Sequence, residues 1–172
     1  SKLPKYDWLH LHHEDFTGQY GKVYRIFRHK PWYIKQKKTF EETARKFGFK
    51  KVSQMKLAVV KKIRDYCAGG GFLFAMCSAA DTYDIALSAE GIDICESMYD
   101  GDPADPSAQS KLSYKNSFAF RNFKLSRSPF EYEYSNIDNQ YFERGLNESN
   151  DFFTLFKFSA KWDPIPAMLT QN

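Results

Sequence analysis

One cysteine of this chain stands where a nucleophile would be expected. Cys77 follows a short apolar run, and the residues two positions away on either side, Ala75 and Ala79, are small. A nucleophile on a sharp turn between a strand and a helix needs small neighbours, because the tight backbone leaves no room for large side chains. The start of the following helix favours the thiolate through its dipole and free N–H groups. We therefore predict that Cys77 is a catalytic nucleophile and that the N–H groups of Ser78 and Ala79 bind the oxyanion.

A group of histidines and carboxylates lies near the amino end of the chain. The segment 7–15 alternates between two faces with period two, which is typical of a strand. His12, His13 and Glu14 come at its carboxyl end. If this strand runs parallel to the one before Cys77, all four residues meet at one edge of the sheet, where open α/β sheets place their ligands. This convergence is the site that the sequence predicts.

Three roles are open for this cluster, because histidine takes all of them in proteins. His12 or His13 acts as a base or orienting group for Cys77, or the side chains only hydrogen-bond backbone groups at the rim of the sheet. The third role is a zinc or iron site, since imidazole and carboxylate together suit these metals. Its ligands would be His10, His12, Glu14 and Asp15. Without that site, no cofactor is expected.

The motif Ala75-Met76-Cys77-Ser78-Ala79 resembles the nucleophile elbow of the class I glutamine amidotransferase-like superfamily, whose domains are flavodoxin-like. The longer stretches 7–19 and 69–96 are similar to uncharacterised bacterial proteins labelled asparagine synthetase B-like. The resemblance implies a three-layer α/β fold with a parallel sheet. It also implies a cysteine-dependent amidohydrolase or glutaminase-like activity on a small-molecule amide.

The histidines depart from the pattern of that superfamily. Its members place a histidine, usually within His-x-Glu, after the cysteine, whereas all four histidines of this chain precede Cys77. Three explanations follow. An upstream histidine substitutes as the base, the base lies outside this chain, or the protein is a catalytically silent relative that binds a protein partner.

The elements around Cys77 are predicted from apolar spacing. Residues 54–66 repeat apolar side chains with helical period, with Ser53 as the N-cap and Gly69 as the stop. Residues 72–76 form an apolar run that suits a strand buried on both faces, and residues 78–89 form the next helix. The order helix, strand, helix indicates an α/β core, which we assign to residues 1–110.

The later part of the chain looks different. A further short strand is predicted at residues 91–95, and after Ser110 aromatic residues alternate with polar ones. The alternating aromatic residues are Phe118, Phe120, Phe130, Tyr132, Tyr134, Phe156 and Phe158. We therefore predict an antiparallel, aromatic-rich β extension over residues 111–172, within the same domain. A doubly wound sheet needs about five parallel strands, and since fewer are found, we expect an incomplete sheet from a longer protein.

Composition excludes several classes of function. The three cysteines of the 172-residue chain include no Cys-x-x-Cys pair, so neither a disulfide framework nor a cysteine zinc site is expected. No apolar run approaches the ~20 residues of a transmembrane helix. The net charge is +4, with a basic block at residues 22–51, but no known module accompanies it, and nucleic acid is not expected as a partner. We expect a soluble protein, and the resemblance implies the bacterial cytoplasm or cell envelope. An upstream signal peptide is an open alternative.

One glycine belongs to the predicted site. Gly18 lies in the turn 17–21, just after the histidine cluster. Because glycine has no Cβ, it lets the backbone approach a ligand closely. We therefore include Gly18 among the predicted binding residues.

Overall fold

The computed structural model of the chain describes residues 3–137, which combine helices with a small parallel sheet. These residues belong to one compact unit, which spans residues 1–138. The strands are β1 (Trp8–Leu11) and β2 (Phe72–Ala75), and the helices are α1 (Tyr24–Phe27), α2 (Pro31–Lys46), α3 (Val52–Ala68), α4 (Ser78–Ser88), α5 (Ser97–Asp100) and α6 (Ala108–Lys111). Short 3₁₀ turns cover Leu3–Lys5, Tyr20–Lys22 and Tyr114–Asn116.

The two strands pair in parallel, as the sequence predicts. Leu11 lies opposite Ala75 in the register. Beyond the last pair, the N–H of Met76 donates to the carbonyl of Leu11 at 3.1 Å. The carboxyl ends of β1 and β2 therefore lie side by side, which decides where the chain segments after them meet.

One face of this sheet is covered and the other is not. Leu11 packs in a core with side chains of α3 and α4, among them Ile63 and Leu87. On the opposite face, Phe72 and Phe74 are 46% and 41% exposed. The prediction that this strand is buried on both faces is therefore wrong. The apolar run is real, but within residues 3–137 the packing helices cover only the face that carries Leu73 and Ala75.

The helices that flank β2 match their predictions closely. Helix α3 covers the predicted segment and ends at Ala68, with Gly69 as its C-cap. Its N-cap is Lys51, not Ser53, which lies inside the first turn. Helix α4 begins at Ser78, directly after Cys77. The strand predicted at residues 91–95 is absent. The side chain of Asp93 accepts the N–H of Cys95 at 3.0 Å, so this N–H is bonded locally and not to a neighbouring strand.

Residues 111–137 contain one isolated antiparallel bridge, between Leu125 and Ser135. They form no strand beyond this single pair of residues. The predicted alternation at Phe118 and Phe120 therefore does not form a strand, nor does that at residues 130–134. A buried side chain explains the first case: the carboxylate of Asp84 accepts the N–H groups of residues 118, 119 and 120 at 2.6, 2.7 and 2.8 Å. The predicted strand around Phe156 and Phe158 lies outside the described residues.

A helix that spans a membrane must be both long and apolar. Within residues 3–137, none of the helices combines enough length with enough apolar character to cross a bilayer. The longest, α3, has 17 residues and carries lysines and an arginine along its length.

The Asp84 contacts give a stability prediction. Asp84 is 1% exposed, and Asp84→Asn replaces one acceptor oxygen by an amide that donates toward backbone N–H groups. We expect the variant to lose about 2 kcal/mol of unfolding free energy in urea titrations, because buried N–H groups lose their acceptor. The matched control is Asp65→Asn, an exposed carboxylate on α3, which should change stability by less than about 0.5 kcal/mol. Equal effects of the two variants would contradict the role assigned to Asp84.

Candidate functional site

Cys77 lies at the sharp turn between β2 and α4. Its backbone has φ 54° and ψ −142°, a conformation that costs free energy in any residue other than glycine. The side chain is exposed, and the residue is the N-cap of the 11-residue helix α4. The exposed cysteine therefore lies on a strained turn at the carboxyl edge of the sheet, directly before the amino terminus of a helix.

His12 lies next to this turn, because β1 and β2 are neighbours. The carbonyl of His12 accepts the N–H of Ala79 at 3.4 Å, so the histidine segment contacts the first turn of α4. The ring centroids of His12 and His13 are 3.8 Å apart, and both side chains are exposed. Glu14 accepts the backbone N–H of His12 at 2.6 Å. The structure thus brings the predicted catalytic residues to one edge.

The two predicted oxyanion donors differ in their surroundings. The N–H of Ala79 already points at the carbonyls of Met76, at 3.2 Å, and of His12. The N–H of Ser78 has no acceptor within residues 3–137, and it directly follows the nucleophile. Of the two, Ser78 is therefore the donor that remains available for an oxyanion.

The loop after the histidines is organised by one buried carboxylate. Asp15 accepts the backbone N–H and the hydroxyl of Thr17, at 2.7 and 2.6 Å, and the N–H of Gly21 at 3.0 Å. These bonds hold a backbone that repeatedly takes positive φ values. The residues concerned are Gly18, Tyr20, Gly21 and Lys22. Such conformations persist only where the surroundings determine them, and Asp15 supplies that constraint.

Gly18 has a structural task in this loop. A Cβ built on it would lie 2.9 Å from the backbone N and Cα of Ser53, in the first turn of α3. Only glycine allows this approach, which brings the loop against the start of the helix. Gly18 also lines the cavity described below, so the predicted role in ligand contact remains a prediction.

Thr82 was missed by sequence reasoning. It is buried on α4, accepts the N–H of Phe16 at 3.3 Å, and its hydroxyl lies 2.9 Å from the carbonyl of Glu14. It therefore joins the histidine segment to the helix that follows the nucleophile. Its hydroxyl also lies within hydrogen-bond distance of the Ser78 carbonyl of its own helix, as is usual for a helical threonine, so its type and spacing give no signal. Its partners Phe16 and Glu14 lie 66 and 68 positions earlier in the sequence, so only the fold brings them into contact.

A cavity of about 410 Å³ opens beside the histidines. Its wall is formed by the loop after β1 and by side chains of α2 and α3. The lining residues are His12, His13, Glu14, Asp15, Gly18, Tyr20, Gly21, Gln36, Phe40, Val52 and Lys56. The ammonium of Lys56 lies 4.6 Å from the centroid of the Phe40 ring, and burial lowers the pKa of this lysine. Lys56 lies within the predicted helix 54–66, and no sequence pattern connects it to the site.

The alternative metal site is not assembled. Within residues 3–137, the one trio of potential ligands with atoms inside 4.8 Å of each other is Asp93, Cys95 and Asp100. The residues predicted to bind zinc or iron, His10, His12, Glu14 and Asp15, form no such group. The oxygens of Asp15 are already engaged by the loop, as described above. The two carboxylates of this trio already bind a positive charge of the protein itself. The ammonium of Lys51 pairs with Asp93 and, at 3.1 Å, with Asp100.

The arrangement as a whole is suited to nucleophilic chemistry: an exposed sulfur on a strained turn, a free N–H beside it, and imidazoles at the neighbouring strand end. A cavity of this size accommodates a small molecule.

Comparisons with models of protein families, with curated proteins and with solved structures find no match for this chain.

The strain at Cys77 is measurable. Cys77→Gly should raise the unfolding free energy by about 1 kcal/mol, because glycine adopts this φ and ψ without the steric penalty. Cys77→Ala keeps the penalty and serves as the matched control, with an expected change within about 0.5 kcal/mol for an exposed side chain. Urea unfolding of both variants makes the comparison. A glycine variant no more stable than the alanine variant would show that the turn is unstrained.

Lys22 ends the strained loop and is buried. Its ammonium donates to the carbonyls of Ser126, at 2.9 Å, and of Glu133, at 2.6 Å. Desolvation lowers the pKa of Lys22 to about 8, although Glu131 and Glu133 attract its charge. The buried cation is held by neutral oxygens, so its charge state responds to mildly alkaline pH.

This shift predicts a pH dependence. Because the folded pKa lies below the 10.5 of an ordinary lysine, the contribution of Lys22 to stability rises from about pH 8 to pH 10.5 and is lost as the pH falls through 8. The unfolding free energy of the wild type, minus that of Lys22→Met, should therefore increase between pH 7.5 and 9.5 in urea titrations. Lys62→Met, an exposed lysine on α3, should give a flat difference. A flat difference for both would mean that Lys22 keeps an ordinary pKa.

Proposed function

We propose that this chain is a cysteine-dependent amidohydrolase of glutaminase-like type, with Cys77 as its nucleophile. The observation that carries the proposal is the positive φ of an exposed cysteine between a parallel strand and a helix. Such strain at a reactive side chain is characteristic of functional sites. A flavodoxin-like sheet, in which β1 and β2 would be neighbouring central strands, is part of the same proposal.

The reaction has two covalent steps. The thiolate of Cys77 attacks the carbonyl carbon of a primary amide, a C–S bond forms, and the oxyanion is stabilised by the N–H of Ser78. The C–N bond then breaks, and an imidazolium gives its proton to the departing ammonia. Water, deprotonated by the same imidazole, attacks the resulting thioester, releases the carboxylic acid and restores the thiolate.

The base of this mechanism is His12 or His13. Both follow β1 and are exposed, and the backbone of His12 is bonded to the first turn of α4. Thr82 and Asp15 act as positioning residues, because they fix the segment around the histidines through buried hydrogen bonds. The substrate is a small-molecule amide that occupies the cavity beside the histidines.

A second candidate function is a catalytically silent binding subunit of the same fold. The uncovered face of the sheet supports it: Trp8 is 62% exposed and packs edge-on against Phe72, with ring centroids 5.3 Å apart. Exposed aromatic side chains of this kind are enriched where proteins meet partners. This function becomes the better one if Cys77 proves unreactive in the following test.

Alkylation by iodoacetamide at pH 7 measures whether Cys77 is activated. We expect it to react at least about tenfold faster than the other two cysteines, because the thiolate is the reacting species. Burial raises the pKa of Cys67 and of Cys95, so these residues serve as internal references. Peptide mass spectrometry over time gives the three rates. Three equally slow rates would contradict the proposed function.

The same assay identifies the base. One of the variants His12→Gln and His13→Gln should slow alkylation of Cys77 at pH 7 by about tenfold, since removal of a partner that stabilises the thiolate by about 1.4 kcal/mol reduces its population to that extent. His29→Gln, an exposed histidine remote in sequence from the cluster, is the control.

Release of ammonia from small primary amides should be lost in Cys77→Ala and retained in Cys67→Ala.

A further inference from the structure

Lys56 is the one lysine or arginine in the wall of the cavity beside the histidines. Its side chain rises from the second turn of α3, is partly buried, and lies over the ring of Phe40. Within residues 3–137, no carboxylate oxygen approaches its ammonium to the 4.0 Å of an ion pair. The cavity therefore presents a positive charge that has given up part of its water without gaining a direct anionic partner.

Two carboxylates, Asp15 and Glu14, line the same cavity, and both accept hydrogen bonds from the loop. Asp15 is bonded to Thr17 and Gly21, and an oxygen of Glu14 accepts the N–H of His12. Both acids attract Lys56 from a distance, yet desolvation dominates and lowers its pKa. An ammonium in this state gains more from an incoming anion than a fully hydrated surface lysine does, because its own solvation has already been reduced.

The cavity borders the strand edge that carries the nucleophile, through the histidine segment that they share. His12 both lines the cavity and bonds, through its carbonyl, to the backbone of Ala79, two residues after Cys77. A small substrate whose amide lies at the sulfur can therefore extend past the imidazoles toward α3.

We propose that Lys56 is the specificity-determining residue of this site and binds a carboxylate of the substrate, so that the preferred substrates are small amides bearing a negative charge. The inference rests on the proposed function of Cys77. Phe40 contributes by shielding the ammonium from water, which strengthens its attraction for the anion.

Two alkylating reagents of nearly equal size test this inference without knowledge of the substrate. In both, the sulfur of Cys77 displaces iodide, but N-iodoacetylglycine ends in a carboxylate where N-iodoacetylglycinamide ends in a neutral amide, and both are long enough to extend past the imidazoles. The measured quantity is the ratio of the two alkylation rates at Cys77 in the full chain. Lys56→Gln should lower the rate with the acidic reagent by about tenfold, the effect of losing one charge-assisted hydrogen bond, and leave the rate with the neutral reagent unchanged.

Matched variants separate the local effect from others. Lys56→Arg keeps the positive charge and should retain most of the rate with the acidic reagent. Lys62→Gln removes an exposed lysine of the same helix and should leave the ratio unchanged. Circular dichroism melting curves establish that each variant is folded, and the rate with the neutral reagent reports separately that its site is intact.

The outcomes distinguish the two proposals. If Cys77 reacts rapidly with both reagents and Lys56→Gln leaves their ratio unchanged, the role of Lys56 is overturned and the proposed function stands. If the ratio falls equally in Lys62→Gln, the effect comes from the overall charge of the protein, and the role of Lys56 is also overturned. If Cys77 reacts no faster than Cys67 with either reagent, the proposed function fails and this inference fails with it.

Discussion

The site depends on the parallel hydrogen bonding between β1 and β2. The bond from Met76 to Leu11 continues the ladder to the end of both strands, so the chain leaves them at the same edge. The histidines after β1 and the cysteine after β2 meet there, although more than sixty positions separate them in sequence. A shift of one residue in this register would exchange the two faces of a strand and bring Leu11 out of the core.

Strain accumulates near this edge and is balanced by buried polar contacts. Cys77 and the loop after the histidines adopt backbone conformations that favour glycine. Asp15 and Thr82 hold the loop through hydrogen bonds in which donor and acceptor are both shielded from water. Since a buried polar group without a partner is costly, these bonds are difficult to break, and the strained geometry is maintained. The site is therefore built on a rigid local framework.

The segment after α6 is attached by side chains and not by a sheet ladder. Asp84 binds three consecutive backbone N–H groups, and Lys22 binds carbonyls of Ser126 and Glu133. Arg127 adds a charged contact to Glu96, with N–O distances of 3.0 and 2.7 Å. These contacts connect the segment to α4 and to the strained loop. Residues that look like strand aromatics thereby become part of a packed, irregular layer.

The sequence by itself determined the local elements around the nucleophile: the helical period of α3, its stop at Gly69, the apolar run of β2, and the small residues around Cys77. These signals are local, because helix period, chain reversal and steric room depend on residues a few positions apart. Only the tertiary structure decided that β2 is covered on one face, that residues 91–95 and 118–120 form no strand, and that Thr82 and Lys56 belong to the site. An alternating or apolar pattern is the same whether or not a partner strand or helix lies against it, so burial and long-range contacts are fixed by the packing of distant segments.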